Sequence, residues 1–225
     1  MILHNIKSYI LGNQKLSLLA SFFYTRVFGL NSIYFNKKNK IKLVRCYLKG
    51  SKIKFSGSNN RVVVNDNCKL IKCKFNIYGN NNTIIFDKCS SASNCEIVIE
   101  NDNNTISIGE STHLCGPIHF ACIENTKICI GMRCLFSSKV TLRTGDSHSI
   151  INENGDRINW SKSVFIGDHV WIGNNVTITK GVIISDNSIV ATGAIVTKEF
   201  SENNIILGGI PADIIKKNVN WDLHR

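Results

Sequence analysis

The sequence predicts an all-β solenoid, and two periodicities and one interruption carry that prediction. The first period is six. From Ile166, β-branched aliphatic residues return at Ile172, Ile178, Ile184, Val190 and Val196, a spacing given neither by a helix near 3.6 nor by a half-buried strand near 2. Four residues after the first five of these stand Val170, Val176, Val182, Ser188 and Ala194, each small or β-branched. The second period is coarser: NNRVVV, NNTIIF, NNTISI and NTKICI begin at residues 59, 81, 103 and 125. Fixed repeats of this size mark a solenoid, in which each unit buries its face only against its neighbours. The interruption falls between Leu142 and Ile166, where the hexads stop and resume.

Physically, each hexad supplies one short strand, and three strands complete a turn of about 18 residues. Equivalent strands stack ~4.8 Å apart in parallel ladders. The aliphatic position points inward, and the small position lets the chain turn a corner. The coarser units are then longer by about four residues, an extra loop at one corner of each early coil. Asn60, Asn82 and Asn104 are expected to stack at that corner, because Asn tolerates left-handed backbone and hydrogen-bonds its own turn.

Taken in chain order, residues 1–40 form a basic, amphipathic N-terminal segment. Leu16, Leu18, Leu19, Phe22, Phe23, Val27 and Phe28 suggest one or two helices that cap the open coil or dock on a membrane surface. Residues 41–210 are the coil, with a functional loop at 143–163, and residues 211–225 are a short tail. Lys7, Lys15 and Arg26 break any signal-peptide core, and no apolar run approaches the ~20 residues of a membrane span.

Twelve of the 27 Lys and Arg lie in residues 1–65, where no acid appears before Asp66. The remaining fifteen face sixteen acids, so the net charge of +11 is concentrated at one end. Such asymmetry suits an anionic glycan or a membrane face. Nucleic acid is disfavoured, since no zinc-finger spacing, RNA-binding signature or helix-turn-helix pattern accompanies the charge. The nine cysteines are odd in number and form no C-x-x-C pair. They are read as thiols in a reducing, cytoplasmic compartment, mostly small buried hydrophobes rather than nucleophiles.

A long loop inserted into a regular array calls for a functional reason. This one carries His148, a residue type suited to general base chemistry at neutral pH. Asp146, Glu153 and Asp156 share the loop and could orient it, as could a backbone carbonyl. His169 alternates outward from Val170 and reads as a surface residue.

The hexads over Ile166–Val196, and more loosely from about Val62 to Ile210, resemble those of the hexapeptide-repeat acyltransferases. Within that family the pattern is nearest to the maltose/galactoside-type and capsular or O-antigen polysaccharide O-acetyltransferases. The resemblance implies a left-handed parallel β-helix, an exception to the right-handed crossover rule. It also implies acetyl-CoA as co-substrate and a homotrimer with active sites between neighbouring coils. His148 lies 23 residues before Trp171 in HVWIG, the family's arrangement of catalytic His and Trp, so His148 is expected to be the general base. By the same resemblance Trp171, Gly173, Asn174, Ala191 and Gly193 flank the acyl and pantetheine groups. Thr197 and Lys198, in ATGAIVTK, meet the adenosine end. GGIPADIIKK (208–217) is similar to the family's exit from the coil. It departs from the pattern by placing Asp213 where a basic residue often stands, which leaves Lys216 or Lys217 for the 3′-phosphate. His113, His119 and His148 bear a faint likeness to a three-His zinc site, but their spacing differs and no metal is expected.

The expected activity is acetyl-CoA-dependent O-acetylation of a sugar hydroxyl in a bacterial surface polysaccharide or its precursor. Two alternatives remain at this point. One is an N-acetyltransferase acting on an amino sugar nucleotide or xenobiotic, because O- and N-acetylating relatives share these motifs. The other is a non-catalytic β-helical scaffold, against which the loop His, Trp171 and the V-T-K segment argue.

Overall fold

A computed structural model of the chain describes residues 13–34 and 37–224. It is a triangular solenoid whose three faces are parallel sheets of eight, seven and nine strands, here faces I, II and III. The chain visits them in strict rotation, as hexad strands require. The six aliphatic positions from Ile166 to Val196 are all buried, and so are the five corner positions from Val170 to Ala194. Each such side chain contributes about 1.5–3 kcal/mol on burial. Phe75, Phe86, Phe120 and Phe136 fill the wider early coils.

The ladder registers report the two periods and the interruption together. Face II pairs Arg61 with Thr83, Thr83 with Thr105 and Thr105 with Lys127. Ile128 then pairs with Val164, and Phe165 with Ile183. The offset between coils therefore runs from 22 to 36 to 18 residues. Both the extra four residues and the long insertion fall at the same edge, corner I/II.

That edge holds the expected asparagine stack, one member longer than foreseen. Asn39, Asn60, Asn82 and Asn104 are all buried. The backbone N–H of each of the last three donates to the Oδ1 of the one before, at 2.8–2.9 Å. Thr126 N–H continues the column onto Asn104 Oδ1 at 3.0 Å, and Thr126 Oγ1 donates to Thr144 Oγ1 at 2.7 Å. From Asn60 to Thr126 the left-handed backbone belongs to the residue just before the ladder member, at Asn59, Asn81, Asn103 and Asn125. Tolerance of positive φ and buried hydrogen bonding, which the sequence reading gave to one asparagine, are thus divided between two adjacent ones.

All nine cysteines are free thiols, and six are buried. Cys46, Cys68 and Cys134 line corner II/III, where burial pushes the Cys46 thiol up to about 12 and Cys134 to about 11. These are packing residues, not nucleophiles.

At the N-terminal end, α1 (Gln14–Phe23) runs into a π-helical turn, Tyr24–Phe28. The turn seals the first rung: Tyr24 stacks on Tyr47 with centroids 4.7 Å apart, and Thr25 Oγ1 donates to the Cys46 carbonyl. Leu19, Phe23, Val27, Phe28 and Leu30 remain more than half exposed. Lys7, read as part of this basic segment, lies outside the described residues. No helix among the described residues is long and apolar enough to cross a membrane. At the other end, Ile205–Gly209 and Ala212–Lys217 close face III as an antiparallel hairpin.

Candidate active site

The inserted loop leaves face I after Val140–Arg143 and rejoins face II at Val164–Ile166. Its neck is the end of the polar column. Thr144 is buried, accepts Ile123 N–H of the rung below at its Oγ1, 3.0 Å, and accepts Lys162 N–H at its carbonyl, 2.8 Å. Gly145 sits against Ser161 and Ile123 so closely that any Cβ would collide with both. Beyond the neck the chain folds into a hairpin bridged between Ile151 and Arg157, with the Asn152 side chain closing its turn.

Three polar anchors fix this hairpin to the coil. Buried Asn159 is the hub: its Nδ2 donates to Asp146 Oδ2 at 2.7 Å and to the His148 carbonyl at 2.8 Å, while its Oδ1 accepts Ile150 N–H at 2.8 Å. Arg157 forks onto Glu124 at 2.6 and 3.0 Å, and Ser161 Oγ donates to the same carboxylate at 2.7 Å. Lys180, one rung later at the same corner, bonds Asp146 and the Asn159 carbonyl. The Arg157 hydrogen bond holds the Glu124 carboxyl below its ordinary range, and the Lys180 hydrogen bond does the same for Asp146. Arg157 also lies 4.6 Å from the centre of the Trp160 ring.

His148 therefore has a fixed backbone and an exposed side chain. None of the described residues hydrogen-bonds its imidazole. Asp146 is committed to Lys180 and Asn159, Asp156 accepts from Asn152 at 3.3 Å, and Glu153 is exposed. The arrangement offers a held, solvent-facing base without an orienting carboxylate from its own loop. The tip, residues 152–156, is polar, but the stem beneath it is apolar: Ile150, Ile151, Ile158 and Trp160 are each more than half exposed.

The other sequence-derived residues fall into separate groups. Trp171 lies on face III, which corner I/II does not touch, with its Nε1 3.4 Å from Ser137 Oγ. Gly173, Asn174, Ala191 and Gly193 line corner III/I in successive coils. Thr197 and Lys198 follow face I and share the His148 edge, two rungs later. Lys216 and Lys217 end the terminal hairpin. His113 is on face III, His119 on face I beside Glu96, and His148 at corner I/II, so these three do not converge.

The corner III/I column fits a long, thin coenzyme arm. A Cβ at Gly193 would meet only open space, and the neighbouring Ala191 keeps the edge low. Gly173 is required for a different reason: a Cβ there would press on Thr192 N at 2.8 Å and Val190 O at 2.9 Å in the next coil. Asn174 spends its Oδ1 on Ser138 N–H and Oγ–H, both at 2.9 Å. Among the lysines, Lys198 lies 3.4 Å from Asp213 and Lys217 2.7 Å from Glu202, whereas Lys216 has no ion-pair partner among the described residues.

Asn159, Glu124, Arg157 and Lys180 were not singled out from the sequence. One signal for Glu124 existed. The coarse repeat aligns it with Asn80 and Asp102, outer members of the same corner, where Asn80 N–H donates to Asp102 Oδ1 at 2.7 Å.

Comparison with known proteins agrees with this architecture. The bacterial transferase hexapeptide family (six repeats) matches residues 163–198. The polysialic acid O-acetyltransferase of Neisseria meningitidis is 37% identical over 166 residues, 73% of this chain and 76% of that protein. The crystal structure of the polySia-specific acetyltransferase NeuO superposes with a TM-score of 0.81 at 30% identity, covering 86% of this chain and 89% of that one. The polysialic acid O-acetyltransferase OatWY gives 0.71 at 32% identity, covering 87% and 89%.

Proposed function

The chain belongs to the hexapeptide-repeat family of the polysialic acid O-acetyltransferases, and on that premise we propose that it transfers acetyl from acetyl-CoA to a hydroxyl of a sialylated capsular polysaccharide. The observation that carries the mechanism is the single break in the coil, whose loop is locked by three polar anchors and presents an exposed His148.

His148 takes the proton of the acceptor hydroxyl as its oxygen attacks the thioester carbonyl. The tetrahedral intermediate collapses, the C–S bond breaks, and the same imidazole returns the proton to the departing thiolate. The products are the O-acetyl sugar and free coenzyme. A base of this kind contributes about 10²–10⁴-fold. The pantetheine arm runs along Gly173, Asn174, Ala191 and Gly193, with Trp171 beside the acyl group. Thr197, Lys198, Lys216 and Lys217 serve the adenosine end, and Lys216 is the readiest phosphate partner because it need not leave a carboxylate.

His148 and Trp171 lie on different sides of one prism, and the hairpin stem exposes apolar side chains. Both features support a homotrimer in which the hairpin of one chain reaches face III of the next. The acetyl-CoA requirement and the basic N-terminal coils favour the cytoplasm, at the inner face of the membrane where capsule is assembled. Mass-spectrometric detection of acetyl groups on sialic acid oligomers incubated with acetyl-CoA tests the activity. His148→Ala is expected to lower kcat about 10²–10⁴-fold while leaving acetyl-CoA binding within about twofold. A variant as active as the wild type removes His148 from the chemistry.

A further inference from the structure

Between corner II/III and the C-terminal tail lies a pocket of about 310 Å³ that the mechanism above does not use. Its principal lining is His113, Arg133, Leu135, His169, Trp221 and His224. The tail is pinned there by Trp221, whose Nε1–H donates to the His169 carbonyl at 2.8 Å. Its ring stacks on the His169 imidazole, centroids 4.4 Å apart and planes 13° apart. The wall also adjoins the acyl-site residue: Leu135 pairs with Trp171 across face III, and the Trp171 and Trp221 rings are 6.1 Å apart. The pocket opens on the II/III side of Trp171, while the coenzyme column runs on its III/I side.

The charge is selective. Arg45 and Arg157 are each forked onto a carboxylate, and Arg143 donates to Ser147. Arg133 is exposed and lines the pocket with no side-chain hydrogen bond or ion pair among the described residues. Three imidazoles share the lining. His113 Nδ1 is taken by Ser91 Oγ at 2.9 Å, and His169 Nδ1 by Asn187 Oδ1 at 3.1 Å, which leaves Nε2 as the remaining polar atom of each. The one acid at the rim, Asp222, accepts the His224 backbone N–H at 2.7 Å.

We propose that this pocket is the acceptor subsite and holds one carboxylate-bearing sugar unit, with Arg133 gripping the carboxylate and Trp221 under the apolar face of the ring. A guanidinium fork matches a carboxylate in two parallel hydrogen bonds, and a volume near 300 Å³ suits a single small-ligand unit. The acceptor then lies on one side of Trp171 and the coenzyme arm on the other, so that the acetyl group crosses the indole. The inference rests on the acetyltransferase reading for its ligand class and adds the residues that choose the acceptor.

The test is calorimetric titration with a short oligomer of α-linked sialic acid, run beside the transfer assay. Arg133 has a φ of 54°, so Arg133→Asn removes the charge at a backbone that Asn accepts, and Arg133→Lys is the conservative partner. Arg133→Asn should weaken oligomer binding about tenfold to a hundredfold, with acetyl-CoA affinity unchanged and Arg133→Lys in between. An oligomer whose carboxyl is reduced to a hydroxymethyl group should bind wild type and Arg133→Asn equally weakly. The pocket is refuted if wild type fails to bind the oligomer, if Arg133→Asn binds it as wild type does, or if acetyl-CoA affinity falls instead. Arg133-dependent binding without any transfer would overturn the acetyltransferase reading and leave the subsite standing.

Discussion

Corner I/II is built from different residues at the two ends of the prism. In the early coils four buried asparagines stand there; in the late coils the same register position falls to Lys162 and Lys180, neither of which is buried. The difference follows from chain length. Coils of 22 residues bring extra peptide groups to this edge, and each buried N–H or C=O needs a partner. The asparagines provide them: Asn60 Nδ2 donates to the Gly79 carbonyl and Asn82 Nδ2 to the Asn101 carbonyl, both at 2.9 Å. The 18-residue coils turn without surplus backbone to satisfy, so lysines that reach outward fill the same place. The inserted loop stands between the two regimes and follows the first, because Asn159, Glu124 and Lys180 anchor it by polar contacts. Buried polarity in this fold therefore marks where the chain leaves the hexad.

The largest effect should come from breaking the ladder at its middle. Asn82→Ala orphans Asn104 N–H above it and removes a donor from the Tyr78 and Asn101 carbonyls beside it, while Asn104 Nδ2 keeps the Glu100 carbonyl. At about 1–3 kcal/mol per unsatisfied buried group, partly offset by relaxation, the expected loss is about 3–6 kcal/mol in urea unfolding. Val182→Ala, two residues beyond Lys180, which holds the matching late position, removes only two methyl groups and should cost about 1–2 kcal/mol. Equal costs would mean that the ladder is decoration. Val182→Asn, with no neighbour to bond, is expected to cost about 2–4 kcal/mol. A stabilised variant would contradict the claim that an asparagine works here only as part of a stack.

Loosening the loop should affect activity more than stability. Arg157→Ala releases the Glu124 fork, a partly exposed pair worth at most about 1 kcal/mol to the fold. Acetyl transfer should nevertheless fall about tenfold, because a displaced base is costly, and limited proteolysis should cut between residues 150 and 159. Acid should act in the same way. Glu124 and Asp146 are held below their ordinary values of 4.5 and 3.8. Their contribution is therefore complete above those values and lost as pH falls through the lower folded ones. Amide exchange in the hairpin should rise on acidification before that of Ile172 or Ile178. Simultaneous loss of protection would place loop and coil in one cooperative unit.

How much of this was legible followed the strength of local periodicity. The hexads from Ile166 to Val196 fixed every inward residue because one buried position per six leaves no other register. The repeats at 59, 81 and 103 located the polar corner, although Asn39 escaped because no second asparagine or VVV-like strand flags it. His148 was visible as a histidine in a break. Asn159 was not, because its partners sit 11 and 13 residues back in a loop without periodicity; Arg157 and Lys180 were not, since theirs lie in other coils, 33 and 34 residues away in sequence. Only the register, which the strand pairings supply, makes them neighbours. The pocket at corner II/III was hidden for the same reason, as it joins Arg133 to a tail some ninety residues later.

The smallest predicted effect isolates what the two ends share. Asn81 in an early coil and Asn175 in a late one both hold left-handed backbone, with φ of 59° and 55°. Both side chains are exposed and neither makes a side-chain hydrogen bond among the described residues. Alanine at either place should cost about 1 kcal/mol or less, since it keeps the Cβ of asparagine and loses only the local polar contacts that ease left-handed backbone, and glycine should cost about 0.5 kcal/mol or less, since it relieves the Cβ at an entropic cost. Matching losses at the two positions would show that every coil turns by the same backbone device. Because Asn81 stands at corner I/II and Asn175 at corner III/I, what sets corner I/II of the early coils apart would then reside wholly in its buried asparagine column. A larger loss at Asn81 than at Asn175 would mean that the ladder also draws on its exposed neighbours, and that the polar corner is wider than its buried column.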